Sequence, residues 1–212
     1  MYDQAFYDTI RAGTIASAQV VVPLVVQHIG PRTVLDIGCG EGWWAETFAV
    51  GGGCDVLGVD GAYVPSSPLG DRFIALDIAR ESFADLARVD LAVCLEVAEH
   101  LPAARADSLI DDLTTVAPTV LFSAAIPGQG GTGHVNEQWP DYWVSRFRAR
   151  GYAVSGALRW AIWRDMNVEN WYRQNLLVAA REPEAYPGLF DTPLAEPWPV
   201  VHPILFDARR HG

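Results

Sequence analysis

A chain of 212 residues, half of them hydrophobic and 19% charged, has the composition of a folded domain with a full core rather than of a disordered segment. Its net charge of −11 argues against a polyanion as the main partner, because phosphate recognition needs clustered cations. Its 3 cysteines are odd in number and contain no C-x-x-C pair, which argues against a disulfide framework and a thiolate metal site.

Residues 3–29 are Ala-rich, carry apolar groups at helical spacing, and predict one or two lead-in helices. The apolar run Val20–Val26 is short and broken by Pro23, so no uninterrupted run of about 18 apolar residues is present. The first residues, "MYDQAFYDTIRAGT", place acids before the first arginine and lack the apolar centre of a secretion signal; the cytoplasm is the expected location. "TVLDIG" reads as a buried strand and "EGWWAETFAVGGG" as a helix stopped by glycines. "CDVLGVD", "DRFIALDI", "VDLAVCLEV" and "PTVLFSAAIP" read as four further strands, with a short helix at "ESFADLA" and another near 102–115 entered through Pro102.

Strands alternating with helices at this spacing predict an α/β fold with a doubly wound, mostly parallel sheet. "GQGGTGHVNEQ" is a long Gly-rich loop of the functional kind, followed by a helix at "WPDYWVSRFRARGY". "AVSGALRWAIW" and "NWYRQNLLVAARE" predict a terminal antiparallel pair. The expected organisation is a helical lead-in at 1–30, one domain at 31–182, and a Pro- and aromatic-rich extension at 183–212 packed on it as a strap. Arg146, Arg148 and Arg150 have the spacing of a solvated helix face, and Arg209 and Arg210 form a second small basic cluster.

"VLDIGCGEGWW" is the first stretch that carries chemistry. A strand ending in Asp36 and turning through Gly38, Cys39, Gly40, Glu41 and Gly42 into a helix puts bare backbone beside a ligand. Asp60 closes the next strand, where a carboxylate can take both hydroxyls of a ribose, and Asp77 of "LDI" suits the exocyclic amine of adenine. A dinucleotide fingerprint G-x-G-x-x-G would need glycine where Trp43 stands.

Taken together, "VLDIGCGEG", Asp60, "LDI" and "CLEVAEHL" resemble the class I S-adenosylmethionine-dependent methyltransferases over roughly residues 30–180. The resemblance implies a Rossmann-like sheet and S-adenosylmethionine as cofactor. It assigns Gly38, Cys39 and Gly40 to the methionine part, Asp36 to the ammonium or the loop, Asp60 and Gly61 to the ribose, Asp77 and Ile78 to adenine, and Leu95 and Glu96 to the methionine side. Trp43 and Trp44 are unusual at the start of this helix and read as packing groups.

In "EVAEH", a helical turn would set Glu96, Glu99 and His100 on one face at i, i+3 and i+4, and His134 hangs over the same mouth from the Gly-rich loop. E-x-x-E-H with a later histidine resembles the metal-dependent O-methyltransferases, which implies that Glu96, Glu99, His100 and His134 hold a divalent ion such as magnesium. In related metal-free enzymes the glutamate orients a helix and His100 or His134 serves as base, so both versions stay open. The expected reaction is O-methylation of a small molecule. N- or C-methylation, 2′-O-methylation of RNA, a non-catalytic cofactor-binding role and a nicotinamide oxidoreductase are the alternatives. The last is disfavoured because the chain has no lysine for a Tyr-x-x-x-Lys pair. Asn136 and Gln138 are candidates for capping the following helix or for touching substrate, with Glu137 between them. The three tryptophans of Arg159–Tyr172 are expected in the core and along one wall of an acceptor pocket, and His28, His202 and His211 in no constellation. A homodimer is compatible with all of this.

Overall fold

The computed structural model describes residues 4–64 and 66–210. His211 and the side chains of Arg209 and Arg210 lie outside the described residues. The lead-in is one helix, α1 (Gln4–Ile29), followed by β1 (Thr33–Ile37), α2 (Trp43–Gly52) and β2 (Asp55–Asp60). Then come β3 (Phe73–Ala75), β4 (Leu91–Leu95), α3 (Ala106–Val116), β5 (Thr119–Ser123) and α4 (Pro140–Ala149). The chain ends with β6 (Ala153–Ser155), α5 (Ala157–Ile162), α6 (Asn170–Asn175), β7 (Leu177–Ala180) and α7 (Pro203–Arg210).

The seven strands form one sheet in the order β3-β2-β1-β4-β5-β7-β6. The first five pair in parallel, and β7 is antiparallel to both β5 and β6. β1 and β4 are neighbours that lead away in opposite directions, so the crevice beyond their carboxyl ends is the place where this class of sheet takes ligands.

Alternation along each strand divides the core. Leu35 and Ile37 face α3 and α4 with Leu109, Leu113, Trp143 and Phe147, whereas Val34 faces the other layer with Val21, Val25 and Phe48. By length and composition α1 could cross a membrane, a property that the search for uninterrupted apolar runs missed. Here its Ala18, Val21, Val22 and Val25 are buried with Ala45 and Phe48 of α2.

Three expectations are corrected. The third strand is only Phe73–Ala75, because Asp77 turns the chain: its carboxylate accepts the Ala79 N–H at 3.1 Å, and its own N–H donates to Glu81 at 2.9 Å. "ESFADLA" forms no helix. Ser82 accepts the Ala84 N–H at 3.1 Å and donates to Asp112 at 2.7 Å, local bonds that compete with a helical ladder. The terminal antiparallel pair exists, but its predicted strands shrink to β6 and β7, with α5 and α6 between them. The extension is irregular apart from a 3-10 turn at Pro183–Ala185 and α7. Arg146 and Arg150 pair with Asp107 and Asp111, and Arg148 with Glu196, as a solvated face would.

Candidate active site

A cavity of about 430 Å³ opens at the carboxyl ends of β1, β2 and β4. Its first wall is the loop after β1. Gly38 (φ +70°) and Gly40 (φ +54°) take the left-handed region that favours glycine. A Cβ on Gly38 would lie 2.4 Å from Val97, and one on Gly40 would lie 3.2 Å from the Tyr7 ring. The backbone there is bare because protein groups crowd it. Its amides are also used internally: Gly38 and Cys39 donate to Val59 O at 2.8 and 3.1 Å, and Gly40 donates to Asp60 at 2.7 Å. A pyrophosphate needs such amides unspent, so this loop is not a phosphate cradle.

Asp60 is the organising group of this wall. Besides Gly40 it accepts the Gly61 N–H and the Tyr63 hydroxyl, each at 2.6 Å. Asp36, buried beneath the loop, has an Oδ2 with no partner. Burial pushes its carboxyl up to about 7 against the pull of the Ala45 backbone amide, with the Asp60 charge adding to the rise. Cys39 lines the cavity, and burial raises its thiol far above the ordinary range. Leu95, Asp77 and Ile78 also line it, Asp77 with about half its side chain exposed.

The opposite wall carries the acids and histidines. Glu96 is not on a helical face with Glu99 and His100, as the sequence pattern implied. Its φ is +54°, alone among described non-glycine residues in being positive, and the 3-10 turn begins only at Ala98. That conformation is held by an amide network: Gln129 Nε2 donates to Glu96 Oε2 at 2.9 Å, and Asn175 Nδ2 donates to Oε1 at 3.0 Å. Gln174 donates in turn to Gln129 and Asn175. Burial raises the Glu96 carboxyl, and the bonds from Asn175, Ser123 and Gln129 oppose that rise.

Glu99, His100 and His134 do come together, each offering a ligand atom within 4.8 Å of the others. Glu96 is not part of this group. Glu99 is fully buried, and the groups beside its carboxyl, the backbone amides of Glu99 and Ala125 and the Glu96 carboxyl, stand short of full hydrogen-bond geometry. Burial, with the charge of Glu96 next, raises its carboxyl well above the usual range. The His100 and His134 rings meet edge to face with centroids 4.8 Å apart. Burial first, then His134, pushes His100 down to about 4, so its imidazole is neutral at pH 7.

The Gly-rich loop reaches this wall because Val135 and Asn136 N–H groups both donate to Glu99 O at 2.9 Å. Glu137 shapes the loop itself, accepting the N–H groups of Gly128 (2.7 Å) and Gly130 (2.5 Å) and pairing with His134 Nδ1 (2.8 Å). Burial pushes the Glu137 carboxyl up, but these three donors outweigh it and hold it below its ordinary value. Neither Asn136 nor Gln138 caps α4, which starts at Trp139 and Pro140 with no side-chain cap; the two amides bond each other at 3.0 Å.

The reading of the sequence missed a third wall. Tyr7, Ile10, Arg11 and Thr14 of α1 line the cavity, with Trp171 and Tyr172 of α6. Their i, i+3, i+4, i+7 spacing on α1 was the available signal. Arg11 grips Glu41 of the glycine loop with two bonds, at 2.9 and 2.6 Å, and Trp43 donates to the same carboxylate at 3.0 Å. Trp44 is the packing group expected, buried edge-on to Tyr172. Of the three later tryptophans only Trp171 reaches this cavity; Trp163 instead stacks on His202, which is buried rather than incidental.

A family model described as a methyltransferase domain matches residues 18–170, most of the chain. The chain belongs to that methyltransferase family. No curated protein matches it in sequence. Solved structures share the fold at low identity. A SAM-dependent methyltransferase from Archaeoglobus fulgidus has a TM-score of 0.58 at 16% identity, over 83% of this chain and 97% of that one. An O-methyltransferase family protein from Burkholderia thailandensis has 0.58 at 16%, over 85% and 60%, and a small RNA methyltransferase 0.57 at 16%, over 78% and 25%. The chain therefore spans less than two thirds of the length of the latter two.

Proposed function

We propose that the protein is an S-adenosylmethionine-dependent O-methyltransferase acting on a small hydroxylated molecule. The observation that carries the oxygen acceptor is Glu99: a fully buried carboxyl with no donor at full hydrogen-bond geometry, clustered with two imidazoles on one wall of the cavity that the glycine loop also lines. An amine acceptor with a free lone pair needs no such group, whereas a hydroxyl must lose its proton.

The residues present suit this cofactor better than a dinucleotide. The loop amides are spent, and the carboxylates of Asp36 and Asp60 make its surroundings hospitable to a cationic ligand rather than a pyrophosphate. When bound, S-adenosylmethionine supplies a methyl group already activated on a sulfonium. Asp60 would hold the ribose, Leu95 and Glu96 would border the methionine end, and Asp77 and Ile78 the adenine. The aromatic faces of Tyr7, Trp43 and Trp171 suit a flat acceptor.

The residues also suit a divalent ion, since Glu99 has two unspent oxygens beside two histidines whose other ring nitrogens are held, His134 by Glu137 and His100 by the Gly133 carbonyl. One carboxylate with two imidazoles favours a borderline ion of the manganese, cobalt or zinc type over magnesium. When bound, such an ion supplies Lewis acidity that lowers the pKa of an adjacent hydroxyl. The chain's own part is orientation and proton removal. Glu137 fixes the His134 tautomer through Nδ1 and leaves Nε2 to accept a proton or a ligand. The acidic chain favours a small acceptor over RNA.

The test is formation of S-adenosylhomocysteine with phenolic, catecholic, amine and RNA acceptors, before and after exhaustive chelation. Turnover with hydroxyl acceptors is expected, lost on chelation and restored by manganese or cobalt. Turnover confined to amines removes the O-methyltransferase assignment. Chelation-resistant turnover removes the metal and leaves His134 as the base.

A further inference from the structure

A second cavity, of about 370 Å³, lies on the other side of α6. Its walls are formed by Trp163, Arg164, Met166, Arg173, His202 and Ile204, and no acid is among its lining residues. That is a departure in a chain with 26 acids against 15 arginines. Several arginines find carboxylates: Arg72 pairs with Glu46 at 2.8 Å, Arg105 with Asp112 at 2.5 Å, and Arg150 with Asp111 at 2.7 Å.

Arg173 does not. It is 4% exposed, yet among the described residues no carboxylate lies within ion-pair distance of its guanidinium. Nε has no hydrogen-bond partner, and Nη1 reaches only the thioether of Met166, at 3.5 Å. Glu169, one helical turn earlier, is directed elsewhere, since its carboxylate sits where a Cβ on Gly13 of α1 would be.

Arg159 supplies the contrast. It too is buried without a carboxylate, but its terminal nitrogens donate to the carbonyls of Gln174 (3.2 Å) and Trp198 (3.1 Å), and so tie the C-terminal extension to α6. Arg173 has no such carbonyls and no such tie. A buried guanidinium left unpaired is costly, and its planar fork matches an oxyanion.

His202 forms a wall rather than a donor: its ring lies tilted on Trp163 with centroids 4.6 Å apart, its Nε2 is 3.1 Å from the Trp163 carbonyl, and its Nδ1 accepts the Ile204 N–H at 3.3 Å. Exposed Arg164 stands at the rim.

We propose that this pocket binds a small oxyanion, the carboxylate or phosphate end of a ligand, with Arg173 as the buried anchor and Arg164 as the rim partner. The site is separate from the methyl-transfer cavity, and the proposal does not rest on that chemistry.

The probes are inorganic phosphate and acetate, titrated into the full chain against chloride at matched ionic strength, with thermal melting as the readout. A saturable rise in Tm is expected in wild type with one or both anions; phosphate alone marks a phosphate site, and acetate marks a carboxylate site. Arg164→Gln and Arg173→Met should each raise the half-saturating concentration by roughly tenfold or more. In chloride, Arg173→Met should melt no lower than wild type, because it removes an unpaired buried cation. No saturable rise in wild type, or the same rise in both variants, overturns the site. A large loss of Tm for Arg173→Met in chloride also overturns it, by making the residue a structural tie like Arg159.

Discussion

Asp60, which closes β2, and Glu99, in the turn after β4, are both buried carboxyl groups lining one cavity, yet they stand in opposite conditions. Asp60 accepts three donors, from Gly40, Gly61 and Tyr63, and is in effect finished by its own chain. Glu99 accepts none at full hydrogen-bond geometry. The difference separates a wall whose polar groups are spent within the chain from one whose polar groups are not. Satisfied groups position a ligand, whereas a buried carboxyl that lacks well-placed donors is a candidate for acting on one.

The sharpest way to break this contrast is at the unfinished wall. Glu99→Gln and His134→Ala should each lower turnover by about 10²- to 10⁴-fold, the range for losing a group that acts on a proton. Glu99→Gln should at the same time raise Tm, because folding no longer buries a second carboxylate beside Glu96. Turnover near wild type for both variants, in an assay of S-adenosylhomocysteine, places the chemistry elsewhere. A fall in Tm with Glu99→Gln makes Glu99 a structural group.

Asp36 is the exception on the finished wall, and it makes a prediction about pH. Its folded pKa, about 7, lies above its ordinary value of 3.8, with burial as the main cause. The folded state therefore binds more protons than the unfolded state between those limits, so this residue lowers stability as pH rises from about 4 to 7. Three units correspond to roughly 4 kcal/mol between the extremes. Asp36→Asn should remove that slope and be the more stable protein at pH 8. Denaturant melts at pH 5 and pH 8 check it, and equal slopes for the two proteins would show that the Asp36 carboxyl ionises as freely folded as unfolded.

What could be read from the sequence follows the range over which each feature is determined. The first strand and the glycine turn after it rest on local pattern: an apolar run, an acid, then glycines in the left-handed region that favours them. The union of Glu99, His100 and His134 was also legible, since it needs only the sheet order and a loop after β5. Glu96 was misplaced because its left-handed backbone depends on Gln129 and Asn175, which are remote in sequence. Arg11 on Glu41 was invisible for the same reason, as was the empty neighbourhood of Arg173. The strand expected through Ile78 and the helix expected after it failed because Asp77 and Ser82, respectively, found local partners that no periodicity records.

On the finished wall, Asp60→Ala should weaken S-adenosylmethionine binding by about 1–3 kcal/mol, through the lost ribose contact and the orphaned Gly40 and Gly61 amides. Calorimetry measures it. Unchanged affinity would mean that Asp60 serves the loop alone.

The smallest effect separates two versions of that wall. A carboxylate offers about four acceptor sites, and the three donors already on Asp60 leave room for one more. A ribose presents two hydroxyls. Gly40 and Gly61 are fixed backbone, but Tyr63 is half exposed, and its ring lies where a Cβ on Gly61 would be. The Tyr63 hydroxyl is thus the donor that must leave if both ribose hydroxyls are to be held. Tyr63→Phe removes this competitor and should tighten cofactor binding by about 0.5–1 kcal/mol, or roughly two- to fivefold. Weaker binding by a similar factor would mean that Tyr63 stays and Asp60 takes a single ribose hydroxyl. In either case Asp60→Ala should shrink the effect of Tyr63→Phe, because the hydroxyl bonds that carboxylate.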